Sequence, residues 1–283
     1  MTPALLATDL DRTLFPNGNQ PDDNSMEIFR KVVERKRPRL VFVTGRNLSQ
    51  IEAGIREYGT PSPDYAIAEV GTRIYRRTPK GFEEDGEFSA FLAESTTNWN
   101  IETFKRALDV LPLRLQPIEH QNEFKLSFYV DNLETAATTV DQARERLQRI
   151  SPDTQLVWSI DETRNLGLLD VLPGKANKLE ALEYLRDHLD LPVEAVIYAG
   201  DSGNDLLPLT RGYKAILVAN AIEEIRTEVI GKSRERNLSS RLYLASGQTD
   251  LPLNGNYVSG ILEGLVHFGI ISRREWSSLS QGS

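Results

Sequence analysis

The chain has no cysteine, which excludes disulfides, thiolate metal sites and cysteine nucleophiles. It has only three histidines, His120, His188 and His267. They are too far apart in sequence for a local metal cluster, and a histidine-based triad would have to be assembled from distant segments. No stretch of ~18 apolar residues occurs, so no segment is read as spanning a bilayer. The short apolar stretch within Met1–Asp11 lacks a basic leader and meets two carboxylates almost at once, so it is not read as a signal peptide. The expected compartment is the cytoplasm. Basic residues are in deficit, 33 against 41 acidic, for a formal charge of −8. That balance argues against a nucleic-acid surface, because phosphate backbones are bound by clustered lysine and arginine. A phosphate ligand would need a local site strong enough to overcome the global field. Neither GxGxxG nor GxxxxGK occurs, which removes the usual nucleotide-binding turns.

What is present is an ordinary globular composition, 283 residues of which 40% are hydrophobic, long enough for one large domain or two of moderate size. Several short apolar runs end abruptly in polar residues: Ala4–Thr8 at Asp9, Leu40–Val43 at Thr44-Gly45-Arg46, Ala195–Ala199 at Gly200-Asp201, and Ala215–Val218 at Ala219-Asn220. Their length suits strands buried on both faces of a parallel sheet. Between them, Ser25–Arg35, Ser49–Tyr58 and Lys178–His188 carry apolar residues three and four positions apart, the helical spacing. Strand and helix in alternation give an α/β fold with a Rossmann-like parallel-sheet core. Ligands of such sheets bind beyond the carboxyl ends of the strands, where the polar residues just named fall.

From about Pro79 to Asp161 the pattern changes to helix (Phe104–Leu111), strand, helix (Leu133–Ile150), strand. Phe124, Leu126, Phe128 and Val130 alternate with Lys125, Ser127, Tyr129 and Asp131, the period of a half-buried antiparallel strand. One face is expected on helices, the other open with Lys125, Ser127 and Tyr129. The expected organisation is a core of residues 1–78 and 172–283 with an inserted α+β domain at 79–171. Gly81–Glu87 is read as the entry turn and Gly167–Pro173 as the return.

Asp9 and Asp11 sit two apart at a strand exit, and like charges at short range resist ionising together unless a cation lies between them. Asp201 and Asp205, in Gly200-Asp201-Ser202-Gly203-Asn204-Asp205, repeat the arrangement at a second strand end. If those strands are neighbours, their carboxylates converge into a hard-oxygen site suited to Mg²⁺. Any one of these aspartates alone would more readily be a helix cap or turn residue; two clusters on strand ends reverse that preference. Thr44 and the backbone of Gly45 and Arg46 follow a third strand and head a helix, a favourable anion site. Lys178 opens a helix from which its ammonium could reach the same point, with Lys175 as its competitor. Together these groups describe phosphoryl transfer to a carboxylate.

The order DxDxT at Asp9–Thr13, Thr44, Lys178 and GDSGND at Gly200–Asp205 resembles the haloacid dehalogenase (HAD) superfamily of phosphatases. The resemblance implies that Asp9 is the nucleophile and Asp11 the general acid and base. It further implies that Asp9, the backbone carbonyl of Asp11 and Asp201 hold Mg²⁺, with Asp205 supporting the metal shell. An insert between the second and third motifs occupies the position of the superfamily's second cap class. Val43–Arg46, Val70–Tyr75, Gln121–Ser127, Leu172–Lys178 and Ser259–Phe268 are similar to the sucrose-phosphate phosphatase family. Asn177-Lys178 then matches the third motif, favouring Lys178 over Lys175. By the same resemblance Thr44, Gly45, Arg46, Lys125, Lys178 and Asn204 would bind the sugar phosphate. Glu69, Thr72 and Gly247–Gly255 depart from that family's pattern. The implied activity is hydrolysis of a phosphorylated disaccharide or glycoside, sucrose 6-phosphate first, in a monomer with the substrate-making synthase as a possible partner. Mannosylfructose phosphate or glucosylglycerol phosphate hydrolysis, sugar phosphate isomerisation and a non-catalytic binding module are the alternatives.

Overall fold

The computed structural model describes residues 4–17, 23–96, 98–161 and 164–280. Its strands, in chain order, are β1 (Leu5–Thr8), β2 (Arg39–Val43), β3 (Tyr65–Ala68), β4 (Arg73–Thr78), β5 (Gly81–Glu84), β6 (Arg114–Leu115), β7 (Leu126–Val130), β8 (Thr154–Asp161), β9 (Leu166–Pro173), β10 (Val196–Gly200), β11 (Lys214–Leu217) and β12 (Leu242–Leu244). Eight of them form one sheet in the order β12-β11-β10-β1-β2-β3-β4-β5, parallel except for the antiparallel β4 and β5.

Alternation along each central strand builds two hydrophobic layers. Leu6, Leu40, Phe42, Ile197 and Ile216 face helices Ser25–Lys36 and Tyr257–His267 through Phe29, Val32, Ile261 and Leu265. Leu5, Val41, Val43, Tyr198 and Leu217 face helix Lys178–His188 through Ala181, Leu182 and Leu185. Both faces are covered, which is why these strands read as continuous apolar runs. Each fully buried aliphatic side chain contributes roughly 1.5–3 kcal/mol by leaving water.

The other four strands make an antiparallel sheet in the order β6-β7-β9-β8. Helices Ile101–Leu108 and Ala136–Gln148 cover one face, with Phe104, Leu108, Val140, Ala143 and Leu147 packing on Leu126, Phe128, Val130, Leu169 and Val171. Two expectations are corrected here. Gly81–Glu87 is not an entry turn: Gly81–Glu84 pairs with β4 and extends the large sheet past residue 78, because its charged residues suit an exposed edge strand. Helix Gly86–Ser95 then packs Phe88 and Leu92 onto the large sheet's core. The second face of β7 is also not open. Gln121 straddles it, donating to the carbonyls of Gln116 and Ser127 and accepting from the Ser127 amide. Ser127 donates to Asp170, and the Arg114 guanidinium lies 4.5 Å from the Tyr129 ring centroid. Lys125, Ser127 and Tyr129 are therefore all buried.

Candidate active site

Strand register assembles the site. Thr8 of β1 is level with Ala199 of β10 and with Phe42 of β2, so Asp9, Asp201 and Thr44 emerge from three adjacent strands at one sheet edge. Asn177 caps the helix that follows β9, its side chain accepting from the amides of Leu179 and Glu180, and this fixes Lys178 as that helix's first residue.

Lys178 Nζ lies 2.8 Å from Asp9 Oδ1 and 2.8 Å from Asp205 Oδ1, and all three side chains are almost wholly buried. Asp205 is saturated with donors: Oδ1 accepts from Tyr198 Oη at 2.5 Å, and Oδ2 accepts from the amides of Asp201 and Ser202 and from Ser202 Oγ. Asp201 Oδ1 accepts from Thr13 Oγ1 at 2.9 Å, and its Oδ2 is 3.5 Å from Arg12 Nε. Carboxylate oxygens of Asp9, Asp201 and Asp205 approach within 4.8 Å of one another.

The electrostatics follow from burial and crowding. Desolvation pushes the Asp9 carboxyl well above the ordinary range; Lys178 pulls it back, while Asp205, Asp201 and Asp11 push it further up. Desolvation and the neighbouring Asp205 raise Asp201 to about 7, against the Thr13 hydrogen bond and Lys178. Burial works against the Lys178 charge, but the Asp205 and Asp9 carboxylates outweigh it and hold the ammonium protonated. Three converging carboxylates with only one buried ammonium among them suit a small hard divalent cation, which would relieve the repulsion that raises Asp9 and Asp201.

Asp11 stays outside this cluster. Its half-exposed carboxylate is gripped by Arg46 at 2.6–3.0 Å and accepts from Asn17 Nδ2. The Arg46 guanidinium lies 5.0 Å from the Phe15 ring centroid, and Phe15 in turn stacks on Tyr58. Thr44 is fully buried, with its hydroxyl accepting from the Arg46 amide, while Gly45 is exposed. The Asn47 amide is taken by Gln50, so the head of this helix offers fewer vacant N–H groups than its sequence suggested. Asn204 sits in the turn Gly203–Asp205, its Oδ1 competing with Asp205 Oδ2 for the one Ser202 hydroxyl proton, each at 3.0 Å. Lys175 is exposed and paired with Glu180, which leaves Lys178 as the lysine of the cluster.

Lys125 immediately precedes β7 of the second sheet, but its turn docks on the first. Asn122, joined to Lys125 by two backbone hydrogen bonds, donates to Glu69 Oε2 at 2.6 Å and Thr72 Oγ1 at 2.9 Å. The Glu69–Gly71 turn bonds to the backbone of Thr44 and Arg46, so the loop before Lys125 rests on residues directly behind the anion site. Gly71 takes φ +94°, and a Cβ there would lie 2.4 Å from the Asn177 carbonyl group. Gly71→Ala is therefore expected to cost roughly 1–3 kcal/mol in stability and to lower turnover through the displaced Lys178 helix. Thermal melts and kcat of the variant check this; wild-type values for both would show that the close approach is dispensable.

Sequence reasoning did not find Tyr198, Arg12, Glu69 or Asn122 as site residues. A signal existed for Tyr198, a hydroxyl inside a fully buried strand that must find a partner. The others meet their partners across long sequence separations and carry no local signature.

A parallel sheet with acidic strand ends, a buried lysine and an inserted α+β unit defines a HAD-type hydrolase. The chain belongs to the sucrose-6F-phosphate phosphohydrolase family, whose model matches residues 2–269. A Nitrosococcus oceani protein described as a HAD-like hydrolase is 40% identical over 93% of this chain and 71% of its own length. Mannosylfructose-phosphate phosphatase of Agrobacterium fabrum is 25% identical over 95% of this chain and 98% of its own. The crystal structure of the sucrose-phosphatase from Synechocystis sp. PCC6803 in complex with sucrose and phosphate superposes with a TM-score of 0.76. It has 26% identity and covers 96% of this chain and all (100%) of that one. The protein is thus a HAD-type sugar phosphatase.

Proposed function

We propose that the protein is a Mg²⁺-dependent phosphatase of a phosphorylated disaccharide or glycoside, with sucrose 6-phosphate as its substrate. The observation that carries this is the buried Asp9–Lys178–Asp205 arrangement with Asp201 alongside. Asp9, Asp201 and the backbone carbonyl of Asp11 would hold the cation, and Asp205, its oxygens already occupied by donors, fixes Lys178 and the Asp201 turn. When bound, Mg²⁺ supplies positive charge that offsets the repulsion between phosphate and carboxylate.

Asp9 attacks phosphorus in line; the bond to the sugar oxygen breaks as Asp11 delivers its proton to that oxygen, and an aspartyl-phosphate remains on Asp9. Asp11, now a carboxylate, takes a proton from water as the water oxygen bonds to phosphorus, and phosphate leaves with Asp9 restored. Lys178 and the Thr44 hydroxyl balance charge on the phosphoryl oxygens. An incoming phosphate competes for Arg46, which frees Asp11 from its ion pair for proton transfer.

The inserted unit acts as a cap that reads the sugar. Lys125 is buried at the docking loop and has no carboxylate within ion-pair reach among the described residues, so it is available to an anionic or hydroxylated ligand. Lys125→Ala is expected to raise KM for the sugar phosphate by at least about tenfold while changing KM for an aryl phosphate far less. Equal effects on both substrates would remove Lys125 as a sugar contact.

The test of the function is phosphate release with Mg²⁺ from sucrose 6-phosphate, mannosylfructose phosphate, glucosylglycerol phosphate, trehalose 6-phosphate and glucose 6-phosphate. The expected result is the highest kcat/KM for sucrose 6-phosphate. A higher value for another member moves the substrate and keeps the chemistry; isomerised sugar phosphate without free phosphate would identify a mutase instead.

A further inference from the structure

Of the strand-end residues singled out in the sequence, Asn220 has no part in the chemistry above, yet it bonds to two distant segments near the site. It follows β11, beside β10 on the large sheet. Its Nδ2 donates to the Arg12 carbonyl at 2.6 Å, its Oδ1 accepts from the Tyr257 amide at 2.9 Å, and its own carbonyl accepts from Arg12 Nη2 at 3.3 Å. The adjacent Ala219 amide donates to the Gly255 carbonyl at 2.8 Å. One side chain thus joins the turn after β1, the end of β11 and the turn that opens helix Tyr257–His267.

The residue it clasps is conformationally unusual. Arg12 has φ +61°, a left-handed conformation that is unfavourable for a non-glycine residue and persists only where neighbours hold it. Arg12 lies between Asp11 and Thr13, and the side chains of Arg12 and Thr13 address the two oxygens of Asp201, at 3.5 Å and 2.9 Å. Releasing the Arg12 carbonyl would let the turn relax toward negative φ, and both contacts to Asp201 would move with it.

Resting on the reading of Asp201 as a cation ligand, we infer that Asn220 is a positioning residue. It locks the Arg12 turn and through it orients Asp201, so that the Asn254–Tyr257 turn becomes a remote support of the catalytic cluster. Groups that hold metal ligands in place typically change metal affinity by about 10- to 100-fold when removed, and that range is expected here.

The experiment measures Mn²⁺ binding to the substrate-free protein by the loss of the free-ion electron paramagnetic resonance signal, alongside kcat, KM and thermal melts. Asn220→Asp is the informative variant, since it keeps the acceptor for Tyr257 and replaces the donor to Arg12 with a charged oxygen that the Arg12 carbonyl repels. It is expected to weaken Mn²⁺ binding and lower kcat by about 10-fold or more, with KM for the sugar phosphate changed less than threefold. Arg12→Gly supplies a turn that adopts positive φ unaided, so Asn220→Asp added to it should cost much less than in the parent. Wild-type Mn²⁺ affinity in Asn220→Asp, or full additivity with Arg12→Gly, would overturn the role of Asn220. Asp201→Asn is the control: if it binds Mn²⁺ as tightly as wild type, the assignment of Asp201 fails whatever Asn220 does. A variant that melts early but binds Mn²⁺ normally when folded also counts against positioning.

Discussion

Asp9→Asn is expected to lose turnover by a factor on the order of 10⁴ or more while keeping, or slightly raising, the melting temperature. The loss follows from chemistry: an amide is too weak a nucleophile for phosphorus, and no other described carboxylate combines burial with the Lys178 contact at a strand end in the same way. The stability half of the expectation is less usual. Asp9 is isosteric with asparagine, so packing is unchanged. Burial and three neighbouring carboxylates disfavour its charge more than Lys178 favours it. Asparagine therefore replaces a carboxyl whose ionisation the site disfavours, and Lys178 retains Asp205 as partner at 2.8 Å. Turnover assays and thermal melts in parallel distinguish this outcome from simple misfolding. Retained turnover would dismiss Asp9 as nucleophile.

Lys178→Met has the second large expected effect, and its sign is opposite in stability. The substitution is close in shape but leaves Asp9 and Asp205 buried with no cation, and Tyr198 and the backbone amides cannot neutralise them. Breaking a buried charge pair by removing one partner typically costs about 3–5 kcal/mol. Divalent cation bound only by the folded state would recover part of that loss, so the variant should gain more melting temperature from added Mg²⁺ than the wild type does. Turnover should fall on the order of 10³-fold, because a preorganised charge beside the phosphoryl oxygens is gone. Melts with and without Mg²⁺ check the prediction; wild-type stability with unchanged Mg²⁺ response would mean that Lys178 is not neutralising the cluster.

The candidate site at the end of the sheet was legible as a cluster in the sequence because strands buried on both faces leave an unbroken apolar signal that stops where the chain reaches the sheet edge. Asp9, Thr44 and Asp201 each stand at such a stop, and parallel register does the rest, placing Thr8 level with Ala199 and Phe42. Lys178 was singled out over Lys175 only through the family resemblance, and the cap at Asn177 that fixes its place is seen in the structure. What sequence did not disclose was settled by contacts without local pattern. Gly81–Glu84 has too few apolar residues to look like part of the large sheet, yet edge pairing with β4 needs only one covered face. The alternation in Phe124–Asp131 correctly indicates antiparallel pairing, but cannot foresee that Gln116 and Gln121 bury the polar side as well. The Asn220–Arg12 clasp spans 208 positions and depends on a left-handed arginine that no propensity would propose.

A covalent phosphoryl group on Asp9 is the most direct mark of the proposed chemistry. The decisive measurement is an acid quench within the first turnover on sucrose 6-phosphate with Mg²⁺, followed by peptide mass spectrometry. One phosphoryl group on the peptide carrying Asp9, absent from Asp9→Asn and formed no slower than phosphate is released, is the expected result. Free phosphate appearing in the first turnover with no label on the protein would contradict an aspartyl-phosphate route through Asp9.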